Sequence, residues 1–125
     1  MIVVDSFGWI EYFADGPLAN DYARFLSDLS QIVTPAIVIY EVYKKIKRER
    51  REEDALIAVA QMQKTKVIPL DISISLSAAD ISLDKGLPMA DAIVYATAMA
   101  NNCEVATSDS HFAELPNVRF IKTSQ

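Results

Sequence analysis

The feature that most constrains this chain is a change of period along it. Short apolar runs rich in Val and Ile are separated by longer stretches whose apolar residues recur at helical spacing. A strand buried on both faces need not alternate apolar with polar residues. Such runs, each followed by a helical segment, therefore predict a parallel sheet with crossover helices. The runs place strands at 2–4, 31–33, 66–70, 104–106 and 118–121, and helices at 6–13, 17–29, 34 to about 48, 53–64, 73–85 and 87 to about 101. Local chemistry supplies the boundaries. Gly16-Pro17 is a break, Thr34-Pro35 reads as a capping hydroxyl followed by a first-turn proline, and Gly86 suits a helix C-terminus. No repeat or long linker interrupts the pattern, so residues 1–125 are expected to form one domain, long enough to bury a core without staples.

Composition removes several classes of function. With three glycines, at Gly8, Gly16 and Gly86, no glycine-rich phosphate cradle can be written. Cys103 is the only cysteine, which excludes a disulfide framework, fits a reducing cytoplasm and reads as a small buried hydrophobe. No basic segment precedes the first apolar run, and no run approaches the roughly 18 residues of a membrane helix, so a cytoplasmic protein without a membrane partner is expected. The 17 acidic residues against 12 basic ones, a net charge of −5, argue at face value against nucleic acid.

The position of particular acids alters that inference. Asp5 follows the first strand and Asp109 follows the fourth. Asp91 stands in the first turn of a helix otherwise almost free of charge, and Glu41 interrupts the apolar run Ala36-Ile37-Val38-Ile39-Tyr40. One aspartate at a strand end is commonly a helix cap. Four acids gathered at the carboxyl end of a parallel sheet, where ligands collect in such folds, are a different matter, because like charges in a low dielectric oppose one another unless a cation joins them. An all-oxygen donor set favours a hard ion, Mg²⁺ or Mn²⁺, over zinc. Four of the 17 acids would belong to that cluster, leaving 13 against 12 positive charges, so the rest of the chain is nearly neutral.

The opening Val4-Asp5-Ser6-Phe7-Gly8-Trp9-Ile10-Glu11-Tyr12-Phe13, the helical Glu41, the run Leu87-Pro88-Met89-Ala90-Asp91-Ala92-Ile93-Val94-Tyr95-Ala96-Thr97-Ala98 and the segment Thr107-Ser108-Asp109-Ser110-His111-Phe112 together resemble the PIN-domain nucleases, in particular the VapC-type toxins of prokaryotic toxin–antitoxin pairs. The resemblance extends over essentially the whole chain. It implies a three-layer α/β/α sandwich with a central parallel sheet of four to five short strands, and a metal-dependent endoribonuclease that leaves a 5′-phosphate and a 3′-hydroxyl. The acids matching the family's metal site are Asp5, Glu41, Asp91 and Asp109, with Thr107 and Ser6 as supporting hydroxyls that also read as helix caps. It further implies a cognate antitoxin, whose basic residue would pair with the acids, and a homodimer. The chemistry is coherent with these residues, since one or two Mg²⁺ ions can both activate water and neutralise a phosphodiester.

Lys44, Lys45, Lys47, Arg48, Arg50 and Arg51 form the one dense basic run. Glu49, Glu52 and Glu53 beside it favour a solvated, ion-paired face, yet Lys45 and Arg48 lie four and seven residues beyond Glu41 on its own helix face and are candidates for RNA contact. His111 lies too close in sequence to Asp109 and Ser110 for a catalytic triad and reads as a surface turn or substrate contact. Trp9, Tyr12, Phe13 and Tyr22 form the first candidate dimer surface, whereas Met62, Met89 and Met99 read as packing residues. Two alternatives remain: a PIN-like binding module without activity, and a receiver or phosphoryl-transfer domain with Asp71, after the third strand, as acceptor. The latter lacks the paired acids it needs after strand one.

Overall fold

A computed structural model describes residues 1–123. Its centre is a five-stranded sheet of β1 (Ile2–Val4), β2 (Ile32–Pro35), β3 (Lys66–Ile68), β4 (Glu104–Thr107) and β5 (Val118–Phe120), in the order β3-β2-β1-β4-β5. Every neighbouring pair is parallel. In register, Val3 lies between Val33 and Val105, and Ala106 beside Arg119. The helices are α1 (Ser6–Phe13), α2 (Ala19–Leu26), α3 (Ala36–Glu49), α4 (Glu52–Met62), α5 (Ile72–Lys85) and α6 (Met89–Ala100). The fold is thus the α/β/α sandwich that the alternation of period implies. The right-handed rule for parallel crossovers puts α1 to α4 on one face and α5 and α6 on the other. In agreement, α1 packs on α2 and α3, α3 on α4, and α5 on α6.

The core follows from the sequence pattern. Val3, Val4, Ile32, Val33, Val105 and Ala106 of the three central strands are buried, as are Val38, Val42 and Ile46 along one stripe of α3 and residues 92–98 of α6. Burying such side chains is worth roughly 1.5–3 kcal/mol each. Chain direction reverses its course at the centre of the sheet. From β1 the chain steps outward through β2 to β3, then returns across the sheet to β4 on the other side of β1. The carboxyl ends of β1 and β4 therefore form the switch point, the place where open α/β sheets leave a crevice.

Several expectations need correction. Thr34 does not cap α3. It is the third residue of β2, fully buried, and its hydroxyl bonds Thr65 Oγ1 at 2.6 Å, while Pro35 ends the strand at the helix's N-cap. The helix expected over 17–29 is shorter, because Ser27 ends α2 and Asp28 turns the chain into a 3₁₀ turn, Leu29–Gln31. β3 is an edge strand with Lys66 and Val67 exposed, so it is not a buried strand. Met62 is buried as expected, but Met89 is 74% exposed at the start of α6. Trp9 and Tyr22 cannot form a dimer surface, since both face the core: Trp9 stacks on Phe13, and Tyr22 lies directly over Gly8. A Cβ on Gly8 would fall 2.4 Å from the Tyr22 ring, so only glycine lets α1 approach α2 this closely. Gly86 ends α5 at φ 71, as its sequence position suggested, and Cys103 is buried. Among the described residues no helix is long and apolar enough to cross a membrane.

Candidate metal centre

The switch-point crevice is a pocket of about 330 Å³ lined by Asp5, Ser6, Phe7, Glu41, Asp91, Val94, Ser108, Asp109, Phe112 and Thr123. All four acids singled out in the sequence line it. They arrive from four places: Asp5 from the end of β1, Glu41 from the second turn of α3, Asp91 from the first turn of α6, and Asp109 two residues beyond β4.

Asp5 is the best buried, at 7% exposure. Its backbone N–H still donates to Ala106 of β4 at 3.2 Å, so the residue is fixed by an extension of the sheet ladder. One carboxylate oxygen accepts from the Gly8 N–H at 3.0 Å, capping α1, and the other accepts from the Thr107 hydroxyl. The capping role and the site role therefore belong to the same side chain. Thr107 is fully buried, and its Oγ1 also accepts from the Asp109 N–H at 3.0 Å, so this hydroxyl links two of the acids. Asp109 in turn caps the 3₁₀ turn Ser110–Phe112 by accepting from the His111 N–H at 2.9 Å. Ser108 bonds the Tyr22 hydroxyl at 2.7 Å beneath the pocket, where burial and then the charge of Asp5 push the phenol upward.

The electrostatics agree with this geometry. Burial raises the Asp5 carboxyl from 3.8 to about 6, against the hydrogen bonds from Thr107 and Gly8, with further upward pushes from Asp109 and Asp91. Asp91 is also raised to about 6, first by loss of solvent and then by Asp109, and the charge of His111 pulls the other way. Glu41 is raised by burial, with the Ser6 hydroxyl beside it lowering the carboxyl and Asp109 raising it. Asp5, Glu41 and Asp91 are each pushed up in part by the neighbouring Asp109, and a cation relieves the three together. The donor set fits a divalent ion: Asp5, Asp91, Asp109 and Glu41 offer carboxylate oxygens around one pocket.

His111, expected as a surface turn or substrate contact, is exposed on the 3₁₀ turn, and its Nδ1 lies 3.1 Å from Asp91 Oδ2 and 3.0 Å from Asp109 Oδ1, contacts that the sequence reading did not anticipate. The Asp109-Ser110-His111 spacing, a tight turn that folds a side chain back on its own cap, was the available signal. Asp71, considered as a phosphate acceptor, instead caps α5 by accepting from the Ile74 N–H at 2.8 Å. It lies beyond edge strand β3, apart from the four acids.

Lys45 and Arg48 stand beside this site. A shallower groove of about 250 Å³ shares Ser6 and Glu41 with the acid pocket and is lined by Tyr40, Lys44, Lys45 and Arg48. Both cations also touch Glu49, at 3.2 and 3.3 Å, and these pairs are exposed. A separate, mainly apolar cleft of about 210 Å³ between α1, α3 and α4 contains none of the four acids.

The sequence matches the family described as PIN domain over residues 2–118. No curated protein gives a significant sequence match. Among solved structures, a toxin–antitoxin complex from Klebsiella pneumoniae has a chain that superposes with a TM-score of 0.83 at 21% identity, covering 98% of this chain and 100% of that one. VapC20 of Mycobacterium tuberculosis, a toxin that cleaves the sarcin–ricin loop, superposes with a TM-score of 0.77 at 15% identity, covering 98% of each chain. VapBC2 of Rickettsia felis, bound to a DNA fragment from its promoter, gives 0.72 at 15% identity with 98% of each covered. At these identities the structural likenesses concern the fold.

Proposed function

The chain belongs to the PIN-domain family, and from that membership we propose that it is a metal-dependent endoribonuclease, the toxin of a toxin–antitoxin pair, with residues 1–125 as a single nuclease domain. The observation that carries this reading is the convergence of Asp5, Glu41, Asp91 and Asp109 on one pocket at the sheet's switch point. A fold alone has no need to gather four mutually repelling acids there. The toxin–antitoxin assembly of the Klebsiella pneumoniae neighbour and the sarcin–ricin-loop-cleaving toxin VapC20 support the toxin role.

The residues divide the work as follows. Asp5, Glu41, Asp91 and Asp109 hold the metal, Mg²⁺ or Mn²⁺. When bound there, the ion neutralises charge on the scissile phosphate and lowers the pKa of water to make a nucleophile. Thr107 fixes the Asp5 carboxylate and the Asp109 backbone relative to one another, and the Ser6 hydroxyl beside Glu41 favours its ionised form. Lys45 and Arg48 receive the RNA backbone along the groove that adjoins the acids. Their exposed pairings with Glu49 are weak and give way readily to a phosphate. An antitoxin would inhibit by covering the pocket and presenting a basic side chain, for which four clustered carboxylates are an obvious partner. The protein works in the cytoplasm as a homodimer. The exposed Ile72, Leu76 and Leu83 of α5, with Met89 at the start of α6, support a self-association face there; of the surface first expected around Trp9, Tyr12, Phe13 and Tyr22, Trp9 and Tyr22 are buried and Tyr12 is exposed.

The test is cleavage of total cellular RNA by the purified protein in Mn²⁺ or Mg²⁺, in chelator, and by Asp91→Asn. Metal-dependent cleavage, lost in the variant and leaving 5′-phosphate ends, is expected. Metal binding without cleavage of any RNA class would favour the inactive binding module.

A further inference from the structure

One group held against two of the four acids is left unexplained, the imidazole of His111. Its Nδ1, Asp91 Oδ2 and Asp109 Oδ1 lie within 4.8 Å of one another, with the nitrogen 3.1 and 3.0 Å from the two oxygens. We propose that His111 is itself a ligand of the ion held by Asp91 and Asp109, and that this nitrogen donor makes the centre prefer Mn²⁺ to Mg²⁺. The proposal rests on the metal-centre reading above and adds a donor to it.

Three observations lead there. Two ligand atoms at right angles on an ion, each about 2.1 Å away, are separated by about 3.0 Å, which is the spacing Nδ1 already keeps from both oxygens. The backbone that carries the imidazole is also fixed. Its backbone N–H is bound to Asp109, and the next residue, Phe112, is buried and packs against Tyr95 with ring centroids 6.3 Å apart. The side chain thus springs from a fixed turn that brings its Nδ1 to the two acids. Finally, the neutral imidazole suits a first-row transition ion, whereas Mg²⁺ demands oxygen.

The same contacts permit an opposite role. With a proton on Nδ1, His111 would be a built-in counter-charge to Asp91 and Asp109, competing with the ion. The two roles predict opposite signs, because removing a ligand weakens metal binding and removing a competitor strengthens it.

His111 is the only histidine in the chain, so any imidazole nitrogen coupled to bound Mn²⁺ in tag-free protein must be its own. The experiment titrates wild type, His111→Ala and His111→Asn with MnCl₂ and with MgCl₂ by calorimetry, and records the electron spin-echo modulation of the Mn²⁺-loaded wild type. Expected are a ¹⁴N imidazole signal in wild type and a fall of about tenfold or more in Mn²⁺ affinity in both variants. Mg²⁺ affinity should change far less. Mn²⁺ bound without nitrogen coupling, or bound as tightly or more tightly by the variants, would overturn the proposal while leaving the acid centre intact. Failure of wild type to bind either ion would overturn the metal-centre reading and this inference with it.

Discussion

Replacing Asp5 with Asn should stabilise the protein when metal is absent, even though it removes a residue on which the proposed activity depends. Burial lifts this carboxyl from 3.8 to about 6. At about 1.4 kcal/mol for each tenfold, ionised Asp5 makes the folded state about 3 kcal/mol less stable than it would be with a neutral group. The sign follows from proton binding. Between about pH 4 and pH 6 the folded protein keeps a proton that the unfolded chain has released, so this stability is complete below pH 4 and is lost as pH rises through 6. Asn cannot ionise, and its Oδ1 can still accept from the Gly8 N–H, now 3.0 Å from the Asp5 oxygen. It does lose the oxygen that accepts from Thr107, at a cost of about 1 kcal/mol. In chelator at pH 7.5 the balance is a gain of about 2 kcal/mol, or roughly 5–10 °C in Tm for a chain of this size. At pH 4.5 the ionisation cost falls to about 1 kcal/mol, the lost hydrogen bond cancels it, and no gain remains. Thermal melts of both proteins at the two pH values decide the matter. A lower Tm for Asp5→Asn at pH 7.5, or an equal gain at both, would refute the reasoning. The expected outcome is a trade of stability for function at one side chain.

Two further expectations concern the fold and the substrate groove. Thr65 donates to the Met62 carbonyl and bonds the Thr34 hydroxyl, both at 2.6 Å, so Thr34→Val should cost only about 1 kcal/mol while Thr65→Val, which leaves two buried partners unmatched, should cost about 2–3 kcal/mol by urea denaturation; equal costs would contradict that assignment of donor and acceptor. For the groove, Lys45→Ala with Arg48→Ala should reduce the slope of log affinity for single-stranded RNA against log salt by about 1.4, as two lost phosphate contacts require, and an unchanged slope in fluorescence anisotropy would remove both residues from the RNA path.

What the sequence disclosed, and what it hid, divides by range. β1 and α1 are legible to the residue because three β-branched residues end at Asp5, which caps the helix that follows. The four acids are legible because each follows an apolar strand or interrupts an apolar helix. Thr34 was misread because the hydroxyl that satisfies it belongs to Thr65, 31 residues away, and no local pattern encodes that bond. Trp9 and Tyr22 were misplaced for a similar reason: at helical spacing an aromatic suits either core or interface, and only the close approach permitted by Gly8 turns Tyr22 inward. His111 lay between these cases. Its neighbour Asp109 was identified, but the 3₁₀ turn that points the imidazole back toward Asp91 arises from the anchoring of Phe112 in the core. The net charge of −5 sums an acid-lined pocket with an adjoining basic groove, so the total describes neither of them.

The central claim, that the switch-point acids form a divalent metal centre, is tested most directly by melting the wild type with and without Mn²⁺ at about 100 times its dissociation constant, beside the Asp5→Asn/Asp91→Asn double variant. The wild type should gain about 2.7 kcal/mol from the ion. The double variant, stripped of two of the four ligands, should gain almost nothing at the same concentration. A wild type that does not respond to the ion, or a double variant that responds equally, would contradict the claim.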